Sequence, residues 1–491
     1  RCFHRSPASL ATVEKTYVKK SAREHVLLRP GMYIGSSAPT AEAPQWAFDP
    51  SDARMKQEAL SYVPGLVKLF DEILVNAVDN AVRDKTQDRV EVTIKEGDGV
   101  EPPTITVYNN GSGIPVQLHK TEGVYIPELV LGHLLTGSNF DDTQELVTGG
   151  RHGYGAKLTN IFSKVFTVET VDPVAGKKYR QTWSNNMKMC EPPEISPAEP
   201  GATSYTCVSF SPDVKRFGLD RIDAGSAAVM RRRVVDAAGT VPGVAVVLDG
   251  HHLKVPGFQE YMKLYPPAGD GNDAVVTYRP NKRWEMGFAA STTGHQAISF
   301  VNGINTLRGG THVAAVADQV CKPAAAMLTK KLGTTISPVM VKNHLRVFVN
   351  CQVPSPSFDA QAKEKLVTHG SDLGIKFSVP DRIVKEIVNT LGVGELVAST
   401  VRSRDAVDVM RQVRKGKRSS QLRAITKLED ANDAGGRRRS ECTLILTEGD
   451  SAKALAVAGL SVVGRDKYGV FPLRGKVLNV RDLTPKSAME N

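Results

Sequence analysis

The sequence predicts an α+β protein. Residues 70–80 have the apolar spacing of an amphipathic helix, residues 89–94 and 104–108 alternate as strands, and an apolar helix follows a glycine-rich stretch at Leu158. Repeats of about 3.6 and 2 residues distinguish the two kinds of element. A chain that changes from one repeat to the other in this way packs helices against a sheet.

The composition is that of a globular protein with several domains. The chain has 491 residues, of which 41% are hydrophobic, enough for about two to four domains of ordinary size. No apolar run approaches the length of a membrane span, so we expect no membrane partner. The six cysteines lack the close pairs of zinc sites or disulfide frameworks, which indicates a reducing compartment.

Basic residues are concentrated in one region. The chain has 63 Lys and Arg against 52 Asp and Glu, a net charge of +11. Residues 401–440 contain 12 basic and 5 acidic residues and so carry +7 of this excess. Such a region favours a polyanionic partner, and a solubilising linker is the alternative.

One face of the predicted helix carries acid and amide groups. At about 100° per residue, Glu72, Asn76, Asp79 and Asn80 fall within roughly a third of the circumference, opposite an apolar side. A carboxylate can take a proton from water, and an amide oxygen can bind a hard cation. The pattern predicts a half-buried polar site, with a capped structural helix as the alternative.

Two glycine-rich segments follow this helix. The second strand runs into NNGSGIP at 109–115, where Asn109 offers the donor and acceptor that an adenine edge requires. The segment TGGRHGYGAK at 148–157 has four glycines within seven residues before a helix. Bare N–H groups, a helix start and Lys157 suit a phosphate. Neither the Walker nor the Rossmann spacing is present, and plain turns are the alternative.

In this order the three features resemble the ATPase superfamily of gyrase-type topoisomerases, ninety-kilodalton heat-shock chaperones, histidine kinases and mismatch-repair ATPases. The resemblance implies a sandwich of a mixed sheet backed by helices, with ATP and Mg²⁺ on the helical side. It implies that Glu72 is the general base that activates water and that Asn76 binds Mg²⁺. Further nucleotide contacts are implied for Asn80, Asn109, Gly113, Ile114, Ser138, Asn139, Gly150, Arg151, His152, Gly153, Tyr154, Gly155, Ala156, Lys157 and Thr206.

A second domain is predicted after residue 256. FVNGIN at 300–305 and RGGTHV at 308–313 predict a strand, a turn and a helix start. VPSPSFDAQAK at 353–363 places Lys363 on an extended, proline-stiffened loop, from which it could reach a γ-phosphate in the neighbouring domain. A solvated loop lysine is the alternative. Both segments resemble the transducer domain of type II DNA topoisomerases, with its left-handed βαβ crossover of the ribosomal-S5-like kind. The resemblance makes Lys363 the switch lysine, with Gln361 beside it.

The last part of the chain contains a further acidic motif. CTLILT at 442–447 predicts a buried strand that delivers Glu448 and Asp450 at its end, before a helix over 453–460. Two acids at such an edge suit Mg²⁺ beside a phosphodiester. The motif resembles the start of an α/β toprim domain, with Glu448 as the metal ligand. PLRGKVLNV at 472–480 resembles the eukaryotic continuation, so the resemblance covers nearly all of residues 14–491.

These features divide the chain into five predicted segments. They are an N-terminal arm over 1–36, an ATPase domain over 37–255, a transducer domain over 256–400, a basic linker over 401–440 and the start of a toprim domain over 441–491.

The resemblance implies an ATP-operated gate. Two copies would exchange N-terminal arms, with Tyr17 reaching the partner's nucleotide, and close around double-stranded DNA. Lys330 and Lys331 stand where relatives carry a longer DNA-contacting loop. The strand-cutting tyrosine of the family lies beyond Asn491, so we expect ATP turnover without strand cleavage. The nucleus is the expected location. A mitochondrion is the alternative, because residues 1–15 could be the remains of a presequence.

Three positions depart from the family pattern, and three rival functions remain. His152 replaces Asn, Ala362 replaces Thr and Gly137 replaces a frequent Ser, which affects individual hydrogen bonds.

A chaperone-type or mismatch-repair ATPase gives no reason for the motifs at 309–312 and 448–450. A bacterial gyrase subunit is disfavoured by residues 451–476. A non-catalytic DNA-binding scaffold would bind DNA but lack ATP turnover that DNA stimulates.

Overall fold

A computed structural model describes residues 17–136, 153–267, 274–403 and 427–473. The chain divides into two compact units, Arg1–Thr400 and Val401–Asn491. The predicted contacts of Ser138, Asn139, Gly150, Arg151 and His152 lie outside the described residues, as do most of the basic linker and the departure at Gly137.

The first unit contains two larger sheets and a hairpin. Its strands in chain order are β1 (Ala43–Asp49), β2 (Arg54–Leu60), β3 (Arg89–Lys95), β4 (Thr104–Asn110), β5 (Ser163–Asp172), β6 (Lys177–Ser184), β7 (Met189–Cys190), β8 (Glu194–Pro197), β9 (Tyr205–Pro212), β10 (Ala245–Leu248), β11 (His251–His252), β12 (Val276–Asn281), β13 (Trp284–Ala290), β14 (Gln296–Val301), β15 (Ile304–Asn305) and β16 (Leu345–Cys351).

Four α-helices of the first unit carry or hold residues of the site. Each is named after one of its residues or after its role. They are the Glu72 helix (Pro64–Arg83), the Lys157 helix (Gly155–Ile161), the Arg233 helix (Ala224–Thr240) and the crossover helix (Thr311–Leu332). Further α-helices of this unit are Ala22–Leu28, Ile126–Gly132, Phe258–Lys263, Pro338–Lys342 and Asp381–Asn389, and residues 393–400 are helical as well.

The first larger sheet is mixed and is backed by helices. Its order is β11-β10-β3-β4-β9-β5-β6-β7, with β8 beside β6, and β10 runs parallel to β3 while the other pairs are antiparallel. Val90, Val92 and Ile94 of β3 are buried at alternate positions, as a sheet with one covered face requires. The predicted α+β sandwich is therefore confirmed.

The Glu72 helix is longer than the predicted 70–80. It begins at Pro64, because a proline in the first turn needs no hydrogen-bonding N–H, and it ends before Asp84. Its back is buried: Phe70, Ile73, Leu74 and Ala77 are each less than 5% exposed. This apolar side belongs to the core between the helix and the sheet.

The second larger sheet contains the predicted crossover. Its order is β12-β13-β16-β14-β15, and β14 lies parallel to β16. The crossover helix connects this parallel pair, as parallel neighbours require. The strand, turn and helix start predicted over 300–313 are confirmed by β14, β15 and a helix that begins at Thr311.

Both sheets share one hydrophobic core. Phe258 and Tyr261 lie between them, and both rings contact Phe300 of β14. Tyr265 contacts Phe348 of β16 in the same way. A close-packed core transmits small displacements, so the two sheets are mechanically connected. Among the described residues, we find no helix with the length and apolarity to cross a membrane.

The second unit has a parallel strand pair, β17 (Thr443–Thr447) and β18 (Tyr468–Pro472), joined by the helix Asp450–Val463. The strand and helix are where the sequence predicts them, but the prediction of a buried strand is wrong. Leu444 is 53% exposed and Leu446 is 57% exposed. In the part of this unit that the structure describes, the sheet has only two strands, which leaves β17 largely uncovered.

Candidate nucleotide site

A cavity of about 420 Å³ opens beside the Glu72 helix, within the usual range of about 300–1,000 Å³ for small-molecule sites. It is lined by the helix, by the ends of β4 and β9, by the start of the Lys157 helix and by a loop of the second sheet. The predicted site residues that line it are Glu72, Asn76, Asn80, Asn109, Gly113, Ile114, Gly153, Tyr154, Gly155, Ala156, Lys157, Thr206, Gln361 and Lys363.

The polar face of the Glu72 helix contains both buried and exposed side chains. Glu72 is 5% exposed and Asp79 is 1% exposed, whereas Asn76 is exposed and Asn80 is half-buried. The carboxylate therefore lies at the back of the cavity, and the Asn76 amide is open to it. An amide oxygen in this position can bind a hard cation.

The Glu72 carboxylate lies between two ammonium groups. Its Oε1 is 2.7 Å from Lys68 Nζ and 3.8 Å from Lys363 Nζ. Burial alone lowers the pKa of Lys68, but the charges of Glu72 and Asp71 outweigh it and the pKa is raised. Burial lowers the pKa of Lys363, and Glu72 offsets this only in part. Nearby cations stabilise the ionised carboxylate that a general base needs.

Lys68 was not singled out in the sequence. It precedes Glu72 by four residues, the spacing at which side chains meet on a helix, and this spacing was the available signal. Its burial was not visible, because a lysine on a helix is normally solvated.

The two amides of the site are held by a buried glutamine that the sequence reasoning also missed. Gln87 Oε1 accepts hydrogen bonds from Asn80 Nδ2 at 2.6 Å and from Asn109 Nδ2 at 3.2 Å. Its own Nε2 donates to the carbonyl of Ala77 at 2.9 Å. Asn109 lies opposite Thr206 in the β4–β9 register. The predicted adenine-reading pair is thus brought together on adjacent strands.

Gly113 serves packing between strands. A Cβ at this position would lie 2.6 Å from the carbonyl oxygen of Val171, closer than atoms can approach. The Gly113 N–H donates to Ser204 Oγ at 2.7 Å, and the next N–H, of Ile114, donates to Thr170 Oγ1 at 3.0 Å. Gly113 also lines the cavity, so the predicted approach of a ligand stays a prediction beside this contact with the backbone of β5.

The Lys157 helix begins against the carboxylate. Gly153 has φ +65°, which favours glycine, and a Cβ on Gly155 would collide with Glu72 Oε2. Lys157 is 4% exposed, and its Nζ donates to the carbonyl of Thr136 at 2.5 Å. Burial lowers the pKa of Lys157 to about 8. The start of this helix therefore brings a buried cation to the cavity.

Lys363 reaches the cavity from the second sheet. The structure shows a tight turn in place of the predicted extended loop: the Lys363 N–H donates to the carbonyl of Ala360 at 3.0 Å, and Lys363 has φ +62°. The turn is tied to the start of the crossover helix by Leu366, whose N–H donates to Gly309 and whose carbonyl accepts from Thr311. The sequence next to Lys363 gives no indication of these contacts with Gly309 and Thr311.

Other predicted sites are not brought to this cavity. Tyr17 is 80% exposed, and Lys330 and Lys331 are exposed in the last turn of the crossover helix. Glu448 belongs to the second unit and is exposed, while Asp450 pairs with Lys427 Nζ at 2.6 Å. The described residues contain no group of three His, Cys, Asp or Glu side chains that could hold a metal ion.

The comparisons with known proteins agree with this geometry. Residues 65–204 match the family described as histidine kinase-, DNA gyrase B- and HSP90-like ATPase, and residues 257–415 match DNA gyrase B. DNA topoisomerase 2 of Drosophila melanogaster is 45% identical over 486 residues, covering 98% of this chain and 33% of that protein. DNA topoisomerase 2 of Saccharomyces cerevisiae is 44% identical over 491 residues, which cover 97% of this chain and 34% of that protein. The chain thus spans about a third of the length of these relatives.

Two solved structures are similar over most of the first unit. The ATPase region of Saccharomyces cerevisiae topoisomerase II has a TM-score of 0.73 and 42% identity, covering 79% of this chain and 100% of that chain. The ATPase and transducer domains of DNA topoisomerase II from Balamuthia mandrillaris have a TM-score of 0.75 and 42% identity. The match covers 82% of this chain and 100% of that chain. The chain therefore belongs to the type II DNA topoisomerase family and corresponds to its ATPase and transducer regions.

Proposed function

We propose that this chain is the ATP-hydrolysing gate of a type II DNA topoisomerase. The observation that carries the proposal is the meeting of Glu72, on the helix that backs the first sheet, and Lys363, on a turn that follows the second sheet, at 3.8 Å in the wall of one cavity. This arrangement lets one terminal phosphate contact both the helix and the turn. A chaperone-type or mismatch-repair ATPase is not favoured, because residues 257–415 match DNA gyrase B.

The cavity fits a magnesium-bound triphosphate. Its volume is sufficient, and the buried Lys157 ammonium group provides a charge that an anion would complement. Asn76 offers an amide oxygen as the ligand for Mg²⁺. When bound, Mg²⁺ supplies positive charge that offsets the charge on the phosphoryl oxygens.

The roles of the side chains follow from their positions. Glu72, which pairs with the Lys68 ammonium group, accepts the proton of the attacking water. Lys157 and the glycine-rich stretch at 150–157 hold the phosphates, with Ser138 and Asn139 at the ribose and phosphate. Asn109 and Thr206 read adenine, beside Asn80, Gly113 and Ile114. Lys363, next to Gln361, leaves Glu72 for the terminal phosphate and returns after hydrolysis, which repositions the second sheet.

The partners extend this proposal to the whole enzyme. Two copies close as a homodimer on ATP, exchange their N-terminal arms with Tyr17 near the partner's nucleotide, and enclose double-stranded DNA. Lys330 and Lys331 contact DNA phosphates, and Glu448 binds Mg²⁺ in the toprim segment. We place the protein in the nucleus, and nothing in the fold or the comparisons supports a mitochondrial location. The five domain boundaries given above belong to the same proposal.

The substitution Glu72→Gln tests the proposal. It keeps the size of the side chain and removes the base, so we expect turnover to fall by about a hundredfold or more while ATP still binds. Because the bound ATP then persists, the variant accumulates as a dimer in light scattering after gel filtration. Steady-state turnover and nucleotide affinity are measured alongside.

A matched control is Glu169→Gln. This carboxylate lies on β5 of the first larger sheet, where it pairs with Lys178 and accepts a hydrogen bond from Tyr205, and it is not among the residues that line the cavity. The control keeps the wild-type turnover. Turnover that survives in Glu72→Gln would reject the assignment of Glu72 as the base. A wild type without turnover would favour a non-catalytic scaffold.

A further inference from the structure

The Arg233 guanidinium joins three parts of the first unit. Its Nε donates to Asp71 Oδ1 on the Glu72 helix at 2.8 Å. Its Nη1 donates to Asp236 Oδ2 on its own helix at 3.0 Å, and its Nη2 donates to the carbonyl of Gly303 at 3.2 Å. Arg233 and Asp236 are both at least 95% buried. Three charge-assisted contacts in such an environment hold their partners firmly.

The first of these contacts leads to the general base. Asp71 precedes Glu72 on the helix, and Lys68 Nζ lies between their carboxylates, 3.9 Å from Asp71 Oδ2 and 2.7 Å from Glu72 Oε1. The carboxylates of Asp71 and Glu72 therefore both attract the Lys68 ammonium group. Because Arg233 competes with Lys68 for Asp71, a displacement of Arg233 changes how closely Lys68 holds Glu72.

The third contact leads to the second sheet. Gly303 lies in the turn between β14 and β15, and Asn305 of β15 donates to Asp236 Oδ2 at 3.1 Å. A few residues later, the chain reaches Arg308 and Gly309, whose backbone groups bond to Glu364 and Leu366 directly after Lys363. The segment that receives Arg233 is thus continuous with the segment that holds Lys363.

We propose that Arg233 is a positioning residue that couples the second sheet to the general base through Asp71 and Lys68. This inference rests on the proposed function and deepens it. The second sheet then acts on Glu72 by two routes, directly through Lys363 and indirectly through Arg233. When Lys363 moves, the Gly303 turn moves with it, and the Arg233 route adjusts the hold of Lys68 on the carboxylate.

The first test compares two arginines of one helix. Arg231 also bridges two carboxylates, Glu96 and Asp249, but it contacts neither the Glu72 helix nor the second sheet in the contacts described. We expect Arg233→Gln to lower kcat by about tenfold, with KM and the Kd for a non-hydrolysed ATP analogue changed by less than about twofold. We expect Arg231→Gln to leave all three within about twofold. Equal losses in the two variants would overturn the proposal.

A second test asks whether the effect passes through Lys68. Single-turnover rates are measured for Lys68→Met with and without Arg233→Gln. If Arg233 acts through Lys68, the tenfold loss shrinks to less than about twofold in the Lys68→Met background. A purely structural role of Arg233 would give about the same tenfold loss in both backgrounds, and that outcome would overturn the proposal.

Two further measurements keep the result decisive. If Arg233→Gln alone unfolds, the double variant Asp71→Asn, Arg233→Gln removes both charges and keeps the hydrogen-bonding shapes, so it replaces the single variant in the first test. The proposed function is tested separately by the turnover of the wild type and of Glu72→Gln. If the wild type turns over ATP and Arg233→Gln has no effect, only the coupling is rejected. If the wild type has no turnover, the proposed function itself is rejected.

Discussion

The environment of Lys157 indicates the charge of the ligand that this part of the cavity would bind. The side chain is 4% exposed, and burial alone accounts for the lowering of its pKa to about 8. Its Nζ bonds to a neutral carbonyl, that of Thr136, and no carboxylate within salt-bridge distance of it is found among the described residues. A buried cation without a counter-charge is costly, and a triphosphate would remove that cost.

The pKa of Lys157 predicts how nucleotide affinity depends on pH. In the free protein the ammonium group loses its proton as the pH rises through about 8, and the neutral amine attracts phosphate less. ATP affinity of the wild type should therefore fall above pH 8, by up to about tenfold per pH unit. Lys157→Arg keeps its charge and should lose this dependence, because an arginine does not titrate in this range.

Equilibrium binding of an ATP analogue, measured at pH values on either side of 8, checks this expectation. Lys157→Met serves as the control without a charge and should bind weakly at every pH. The same fall in affinity for the wild type and for Lys157→Arg would mean that another group titrates, and the assignment of Lys157 to the phosphates would be wrong.

Sequence reasoning found the residues whose chemistry is visible in isolation. Glu72, Asn76 and Lys157 stand out by their type and spacing. Lys68 and Gln87 did not, because their roles arise from burial: Gln87 is 4% exposed and contacts two amides from different elements. A polar residue acquires such a role only when the fold removes water from it.

At the scale of elements, the start of the crossover helix holds the switch turn. Gly310 has φ +145°, and a Cβ there would lie 2.7 Å from Leu366 N and 2.9 Å from Leu366 Cα. The N–H of Leu366 donates to the carbonyl of Gly309 at 3.1 Å, and the N–H of Thr311 donates to the carbonyl of Leu366 at 3.2 Å. The two glycines therefore allow the backbone of the Lys363 turn to dock directly.

The substitution Gly310→Ala should displace this turn. We expect turnover to fall by about tenfold to a hundredfold, because a catalytic group is moved by a fraction of an ångström or more. Nucleotide affinity should change much less, since Gln361 and Lys363 alone among the residues found to line the cavity come from this turn. The added backbone strain should also lower the free energy of unfolding by about 1–3 kcal/mol.

Gly333→Ala is the matched control for backbone strain. Gly333 ends the crossover helix with φ +68°, and a Cβ there meets nothing within 4 Å. It should cost about 1 kcal/mol of stability and leave turnover unchanged. ATP turnover and thermal unfolding of both variants check the comparison. A Gly310→Ala variant with wild-type turnover would show that the docking of the turn is not needed.

Elements with a strong periodic pattern were predicted well, and those fixed by distant contacts were not. β3 and β4 alternate apolar and polar residues and were found nearly to their ends. The Lys363 segment was predicted as extended, because the hydrogen bonds that dock its turn come from residues about fifty positions earlier. Local sequence contains no signal for such contacts.

At the scale of the whole first unit, one core and one polar network connect the two sheets. Phe258, Tyr261 and Phe300 form the apolar connection, and Arg233 with Gly303 forms the polar one. Closely packed interfaces of this kind tend to switch between discrete arrangements. The sequence predicted the two domains and their order, but the network between them depends on tertiary burial and was not predicted.

The measurement that tests the account most directly is a structure of this chain with Mg²⁺ and a non-hydrolysed ATP analogue. We predict that the analogue occupies the cavity beside the Glu72 helix. Its terminal phosphate should face Glu72 and lie within hydrogen-bonding distance, about 3 Å, of Lys363 Nζ. An analogue bound elsewhere, or a Glu72 side chain turned away from the terminal phosphate, would contradict the account.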